Sequence, residues 1–317
     1  MIEGVPSRGP LFKTRGIYMS RISREKREAR LGLIFVIPSL VVIFAVTFFP
    51  IFRTFLLSLY RYNLKFPHLV RFIGFKNYIL VFQDSYFWNS LKVTLTFTIV
   101  AVSFETVLGM LVALVMNMNF KGRGFVRAAA LVPWAIPTVA SAQMWRMMYS
   151  DQFGVINDVL KRLHLINDYI NFIGKQPYAF WAMVFADVWK TTPFMALLIL
   201  AGLQSIPPQL YEAARVDGAS RWKQFWSITL PLVRPSLMVA LLFRTIDTIK
   251  AFDIAYVLTN GGPASSTELL TLYNFKVMIQ QMNFGKGSAI SILIFAFTML
   301  IAFIFIKLLK ANPYAGR

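Results

Sequence analysis

Residues 211–231 read YEAARVDGASRWKQFWSITLP, a polar, amphipathic segment set between two long apolar runs. Too short for a domain and too patterned for a linker, it predicts two short helices around a turn, with both ends held at a membrane surface. Pro207 and Pro208 supply the first start, because a proline at the first helical position gives up no hydrogen bond it would have made. Leu210–Val216 follows as a helix, with Glu212 and Arg215 spaced for a surface pair. Gly218 stands where the chain needs a left-handed turn. A second helix, Ser220–Ile228, runs through Leu230 and Pro231 into the next apolar run. Ala213 and Ala214 leave one side of the first helix nearly bare, so another protein can approach its backbone closely.

The surrounding composition explains the apolar flanks. Of 317 residues, 57% are hydrophobic, 30 are phenylalanine and only 15% are charged, and the mean hydropathy is +0.58. Lipid is the solvent such a chain is built for. The absence of cysteine excludes disulfides, thiolate metal sites and cysteine nucleophiles. With two histidines, His68 and His164, both outside the long apolar runs, no metal site is expected. A net charge of +19 raises nucleic acid as a partner, but the cations lie in short segments between apolar runs, which is a topology signal. No nucleic-acid partner is expected.

Six spans are predicted, at about 31–52, 91–118, 128–149, 178–203, 236–258 and 287–306, making an all-α membrane protein. Residues 1–30 form a basic N-terminal segment in which Ser20–Arg30 can lie as a surface helix against anionic lipid. Met19 offers an alternative start, and residues 1–18 are expected to be dispensable. Residues 31–310 form the membrane domain, with a connecting loop at 205–235, and 311–317 form a tail. Lys and Arg number eighteen on the side of the termini and of the 205–235 loop, against nine in the connections 60–90, 150–177 and 259–286. That bias places both termini and the loop in the cytoplasm.

Charges inside the spans narrow the function. The fifth span carries Arg244, Asp247, Lys250 and Asp253 at steps of three. Each ionised group at mid-membrane costs about 2.5–3.5 kcal/mol, so this face must look into a bundle or a wet cavity. Arg244–Asp247 and Lys250–Asp253 are spaced to pair, and Asp187 and Lys190 in the fourth span repeat the spacing. Two explanations stay open: a solute path, or structural ion pairs between helices. Glu105, alone in the second span, fits a helix–helix contact better than proton carriage. Tyr256 and Asn260, ahead of the Gly261-Gly262-Pro263 turn, join Lys250 and Asp253 as candidate path residues. Trp134 and Trp145 fit either an aromatic path wall or an interface belt, whereas Trp88 and Trp181 fit the belt.

Glu212-Ala213-Ala214, Gly218, Ile228 and Leu230-Pro231 together resemble, without a gap, the "EAA" loop of permease subunits of bacterial ATP-binding-cassette importers. FRTFLLSLY after Pro50, FIGFKNY at 72–78, KGRGFVRAAALVPWAIPTV at 121–139, FADVWKTTPF at 185–194 and LTNGGPASSTELL at 258–270 resemble one branch, the sugar permeases of the maltose, trehalose and glycerol-3-phosphate type. The resemblance covers about residues 31–310. It implies the type I importer fold and a place as first-type subunit of a two-permease pair. It also implies a second permease, two ATPase subunits, an extracytoplasmic solute-binding protein and a sugar substrate as partners. The large outer insertion of the maltose-type first subunit is missing, so that subunit's substrate contacts do not carry over. Glu212, Ala213, Ala214, Asp217, Gly218, Leu230 and Pro231 are implied to dock the ATPase. No phosphate-binding G-x-x-x-x-G-K-[ST] is present, since Gly174-Lys175 and Gly285-Lys286 lack its other residues. ATP and Mg are therefore expected on the partner ATPases, with no cofactor on this chain and no enzyme activity of its own. The alternative is an ion-coupled secondary transporter using Glu105, Asp187 or Asp253. A membrane enzyme has only carboxylates to work with.

Overall fold

A backbone in hydrocarbon must bond its own N–H and C=O groups, which a single segment achieves only as a helix. The computed structural model describes residues 11–310, with side chains from 31 to 308, so the expectations for residues 1–10, for the side chains of 20–30 and for the 311–317 tail fall outside it. Helix α1 spans Leu11–Ser58. The chain divides into two units, Met1–Leu56 and Leu57–Arg317. The first is most of α1, uncharged from Leu31 to Phe52, with Phe44 and Phe48 stacked at 4.6 Å one turn apart.

The second unit opens with a two-residue antiparallel ladder, β1 (Tyr60–Arg61) against β2 (Arg71–Phe72), and a short helix α2 (Lys76–Phe82). Helix α3 runs Ser85–Asn117, starting earlier than the sequence led us to expect because Asp84 caps it, accepting from the Tyr86 N–H at 2.9 Å. Burial alone would raise the Asp84 pKa, but hydrogen bonds from Lys286, Tyr273 and the Tyr86 N–H outweigh it and hold the carboxyl below its ordinary value. Then come α4 (Arg123–Ala135), α5 (Thr138–Met148), α6 (Val155–Arg162) and α7 (Tyr178–Gln204). The remainder is α8 (Pro208–Val216), α9 (Arg221–Gln224), α10 (Leu230–Ile249), α11 (Asp253–Leu258), α12 (Leu270–Phe275) and α13 (Phe284–Lys310).

Among the described residues five helices are long and apolar enough to cross a membrane, and a sixth crossing needs α4 and α5 together, which meet at 90°. The expected third span, 128–149, is therefore two helices, broken at Ile136–Pro137. Pro137 has no N–H to donate and drives the residue before it out of the helical region; Ile136 is extended at φ −73°, ψ 131°. The expected fifth span, 236–258, is corrected as well. Its helix begins at Leu230, ends at Ile249, and resumes as α11 after a turn at 250–252. The freed Ala251 carbonyl accepts from the Thr271 hydroxyl, which offsets the cost of leaving the helix there.

Helices α3 and α7 form the centre. One cluster packs Phe97, Met183 and Val188 with Ile254 and Leu258 of α11; another packs Met110, Met195 and Ile199 with Val233 and Ala240 of α10. Small residues let the helices approach. A Cβ on Gly109 would lie 2.7 Å from the Met195 side chain, and one on Gly202 would lie 2.6 Å from that of Ser236.

Candidate functional site

Where α4 breaks from α5 and α10 breaks from α11, the interrupted helices leave a cavity of about 470 Å³ against α7. Trp134 and Thr138 flank the first break, Lys250–Asp253 form the second, and α7 supplies Asp187, Lys190, Thr191 and Phe194. The Trp134 indole stacks on Phe194 with centroids 5.7 Å apart. The wall thus offers flat aromatic faces beside hydroxyls, carboxylates and ammonium groups.

Arg244 organises the charged side of this wall. Its Nε donates to Glu105 Oε2 at 2.6 Å and its Nη2 to Glu105 Oε1 at 2.7 Å, a two-pronged guanidinium–carboxylate bond. Nη2 also reaches Asp187 at 3.2 Å, and Nη1 reaches Asp247 at 2.8 Å. Thr191 completes the set, its hydroxyl lying 2.7 Å from Glu105 Oε1 and 2.6 Å from the Asp187 carbonyl. Glu105 and Arg244 side chains are 0% and 3% exposed, while Asp247 is 72% exposed and faces the cavity. Three helices, α3, α7 and α10, are thereby fastened at one point.

The expected pairings hold in part. Arg244–Asp247 forms, and Glu105 makes a helix–helix contact. Lys250–Asp253 does not pair, because the helix ends at Ile249 and the i, i+3 geometry no longer exists there; Asp187 turns to Arg244 instead of Lys190. Among the described residues neither Lys190 nor Lys250 forms an ion pair. Of the path candidates, Lys250 and Asp253 line the cavity. Tyr256 and Asn260 do not: Tyr256 stacks on Phe252 at 5.2 Å, and Asn260, at φ 51°, offers its carbonyl to Lys276 at 3.1 Å. Trp145 is core, against Tyr149 and Trp189. Phe243 and Thr248 line the cavity but stood out in no sequence pattern, and Thr138 and Phe194 lay within quoted stretches without being singled out, because they are drawn to one place only by the two breaks.

At the far end of α7 and α10 lies the 205–235 loop. Pro207 and Pro208 start α8, and Gly218 sits at φ 75° with open space where a Cβ would go, so backbone conformation rather than room requires glycine there. Glu212, Ala213 and Asp217 are exposed and Ala214 is half-buried. The anticipated Glu212–Arg215 pair is absent among the described ion pairs. Ser220 caps α9 by accepting from Lys223 N. A π-helical turn, Phe225–Thr229, then joins α9 to α10; Pro231 cannot donate to the preceding turn, and the wider turn absorbs the misfit. Pro231 is exposed, whereas Leu230 packs inward with Tyr211, Phe225 and Ile228 against Leu203 and Val233. The Tyr211 hydroxyl meets that of Thr229 at 3.0 Å, fixing α8 to the root of α10.

Residues 105–312 match the family described as binding-protein-dependent transport system inner membrane component. The chain belongs to that family. It is 46% identical to the trehalose/maltose transport system permease protein MalF of Thermococcus litoralis, over 89% of this chain and 94% of the relative. It is 41% identical to the trehalose transport system permease protein SugA of Mycobacterium tuberculosis, over 96% of each. A crystal structure of a bacterial ABC transporter that imports the acidic polysaccharide alginate superposes with a TM-score of 0.78 at 24% identity, covering 92% of this chain and 99% of that one. The fold is therefore that of an importer permease, in a helical inner-membrane component whose relatives are transporter subunits and not enzymes.

Proposed function

We propose that this chain is the transmembrane subunit of an ATP-driven, binding-protein-dependent sugar importer. In this reading it is the first-type member of a pair with a second permease, served by two ATPase subunits that bind ATP and Mg and by an extracytoplasmic solute-binding protein. The termini and the 205–235 loop face the cytoplasm. The observation that carries the proposal is mechanical: α8 is bonded to the root of α10 through Tyr211 and Thr229, and α10 carries Arg244 and Asp247 to the cavity wall. Closure of an ATPase pair on α8 would reach the cavity through a continuous helix and shift the bundle between two arrangements. Glu212 is the residue we assign to an ATPase cation, with Ala213 and Ala214 permitting approach, Gly218 and Asp217 forming the turn, and Leu230 and Pro231 setting the loop on its helix. The aromatic faces and polar groups of the cavity, and the trehalose and maltose in the relatives' names, support a sugar as solute, with Lys250 and Asp253 as its first contacts.

The test is uptake of labelled trehalose and maltose by cells carrying the complete transporter. Glu212→Lys and Gly218→Asp should leave the chain inserted but abolish uptake or ATPase co-purification. Full transport by both variants would reject the coupling role. Uptake should also survive a protonophore and stop on ATP depletion; the reverse would favour an ion-coupled carrier.

A further inference from the structure

Residues 57–83 contain four Lys and Arg and one His, and no Asp or Glu. It holds all four cations of the 60–90 connection, the most basic of the three on the cation-poor side of the chain, where the topology rule supplies no reason for cations. Folding gathers the charge instead of spreading it. In the β1–β2 ladder Tyr60 opposes Phe72 and Arg61 opposes Arg71. The aromatic pair packs edge to face at 5.5 Å, and strand alternation sends the two arginines to the other face. Like charges directly opposite each other destabilise a ladder. Arg61, Arg71 and Lys76 all line one cavity of about 330 Å³, together with Asn63, Asn77 and Asn283. None of these three cations forms an ion pair among the described residues, and the first acid beyond them, Asp84, is held by Lys286 and Tyr273. A pocket with three cations and no acid suits an anion with several oxygens, and the guanidinium fork matches phosphate.

The rim identifies the source. Phe66, Leu69 and Leu80 line the same cavity and are 51%, 45% and 44% exposed, with Phe75 and Ile79 exposed nearby. The pocket also sits at the starts of two membrane helices: α3 begins just after α2, and Asn283 precedes Phe284 of α13. Cations beside exposed apolar side chains at the end of membrane helices meet phosphate headgroups and the tops of acyl chains together. We propose that this cavity binds the phosphate headgroup of an anionic membrane lipid, Arg61 and Arg71 gripping the phosphate and Lys76 adding the third charge.

Native mass spectrometry of the full chain, titrated in detergent with dioleoylphosphatidylglycerol or dioleoylphosphatidylcholine, tests it. The anionic lipid should be retained about tenfold more tightly or better. The double change Arg61→Gln, Arg71→Gln should reduce retention to that of the zwitterionic lipid, while Lys65→Gln, in the same loop but outside the cavity, leaves it unchanged. Should the double variant not fold, Lys76→Gln on α2 carries the test, with a loss of about threefold expected. Equal retention of both lipids, or unchanged retention in folded Arg61/Arg71 or Lys76 variants, overturns the proposal. Inorganic phosphate that binds in the absence of lipid and displaces the phosphatidylglycerol at millimolar concentration assigns the pocket to a free anion and overturns the lipid source.

Discussion

The Arg244 guanidinium ties α3, α7 and α10 together. It serves three carboxylates on three helices while 3% exposed, and its bond to Glu105 joins residues 139 positions apart. Removing one member of such a set leaves the other as an uncompensated buried charge, which costs about 3–5 kcal/mol. Arg244→Gln should therefore lower the unfolding temperature of the detergent-solubilised protein markedly. Asp247→Asn should change it little, since a largely exposed partner of an ion pair contributes at most about 1 kcal/mol. Both can be read by thermal unfolding monitored by circular dichroism, and equal shifts would show that the Glu105 bond is not where the stability resides. The charge pattern in the sequence was enough to say that Arg244 and Asp247 face inward. It could not say that Glu105, on a helix far away in the chain, is the partner that matters most, because that depends on how α3 lies against α10.

Elements rather than residues set where the sequence could be read and where it could not. The 205–235 loop was legible in detail, down to the helix start at Pro208 and the left-handed Gly218, because caps and turns are decided by neighbours along the chain. The breaks at Ile136–Pro137 and Lys250–Phe252 were not. A proline in a membrane span is compatible with a continuous helix, and only the neighbouring helices determine whether the chain turns there. Yet the cavity exists because of those two breaks, so its shape could not be read beforehand, although Trp134, Lys250 and Asp253 of its wall stood out in the sequence. The close approach of α7 to α10 is likewise a matter of packing. Gly202 faces Ser236 and Val233 across it with no room for a side chain, in the stretch that links the loop to the cavity. Gly202→Leu should force the helices apart at a cost of about 1–3 kcal/mol, seen as a lower unfolding temperature. Gly218→Ala, whose new methyl meets nothing, should cost about 1 kcal/mol from backbone strain alone. If Gly202→Leu unfolds at the wild-type temperature, α7 and α10 are not held by close packing at this point.

Across the whole molecule, the proposal that α8 meets cytoplasmic ATPases stands on sidedness, which the excess of cations around the termini and the 205–235 loop supports. A chain without cysteine allows that sidedness to be measured one position at a time. Val216, at the end of α8, is 88% exposed, and Phe153, just before α6, is 70% exposed; neither belongs to a buried cluster, so a cysteine at either position should leave the fold intact. The two positions lie on connections separated by α7 alone, and a single crossing between them puts them on opposite faces of the membrane. A membrane-impermeant maleimide added to intact cells with any outer barrier removed should label Phe153→Cys and spare Val216→Cys, and inverted vesicles should reverse the result. Labelling of Val216→Cys from outside would place α8 beyond the reach of an ATPase and remove the coupling role, whatever Glu212 and Gly218 resemble. Labelling of both positions from one side would instead mean that α7 does not cross, and with it the six-crossing arrangement in which α4 and α5 count as one span.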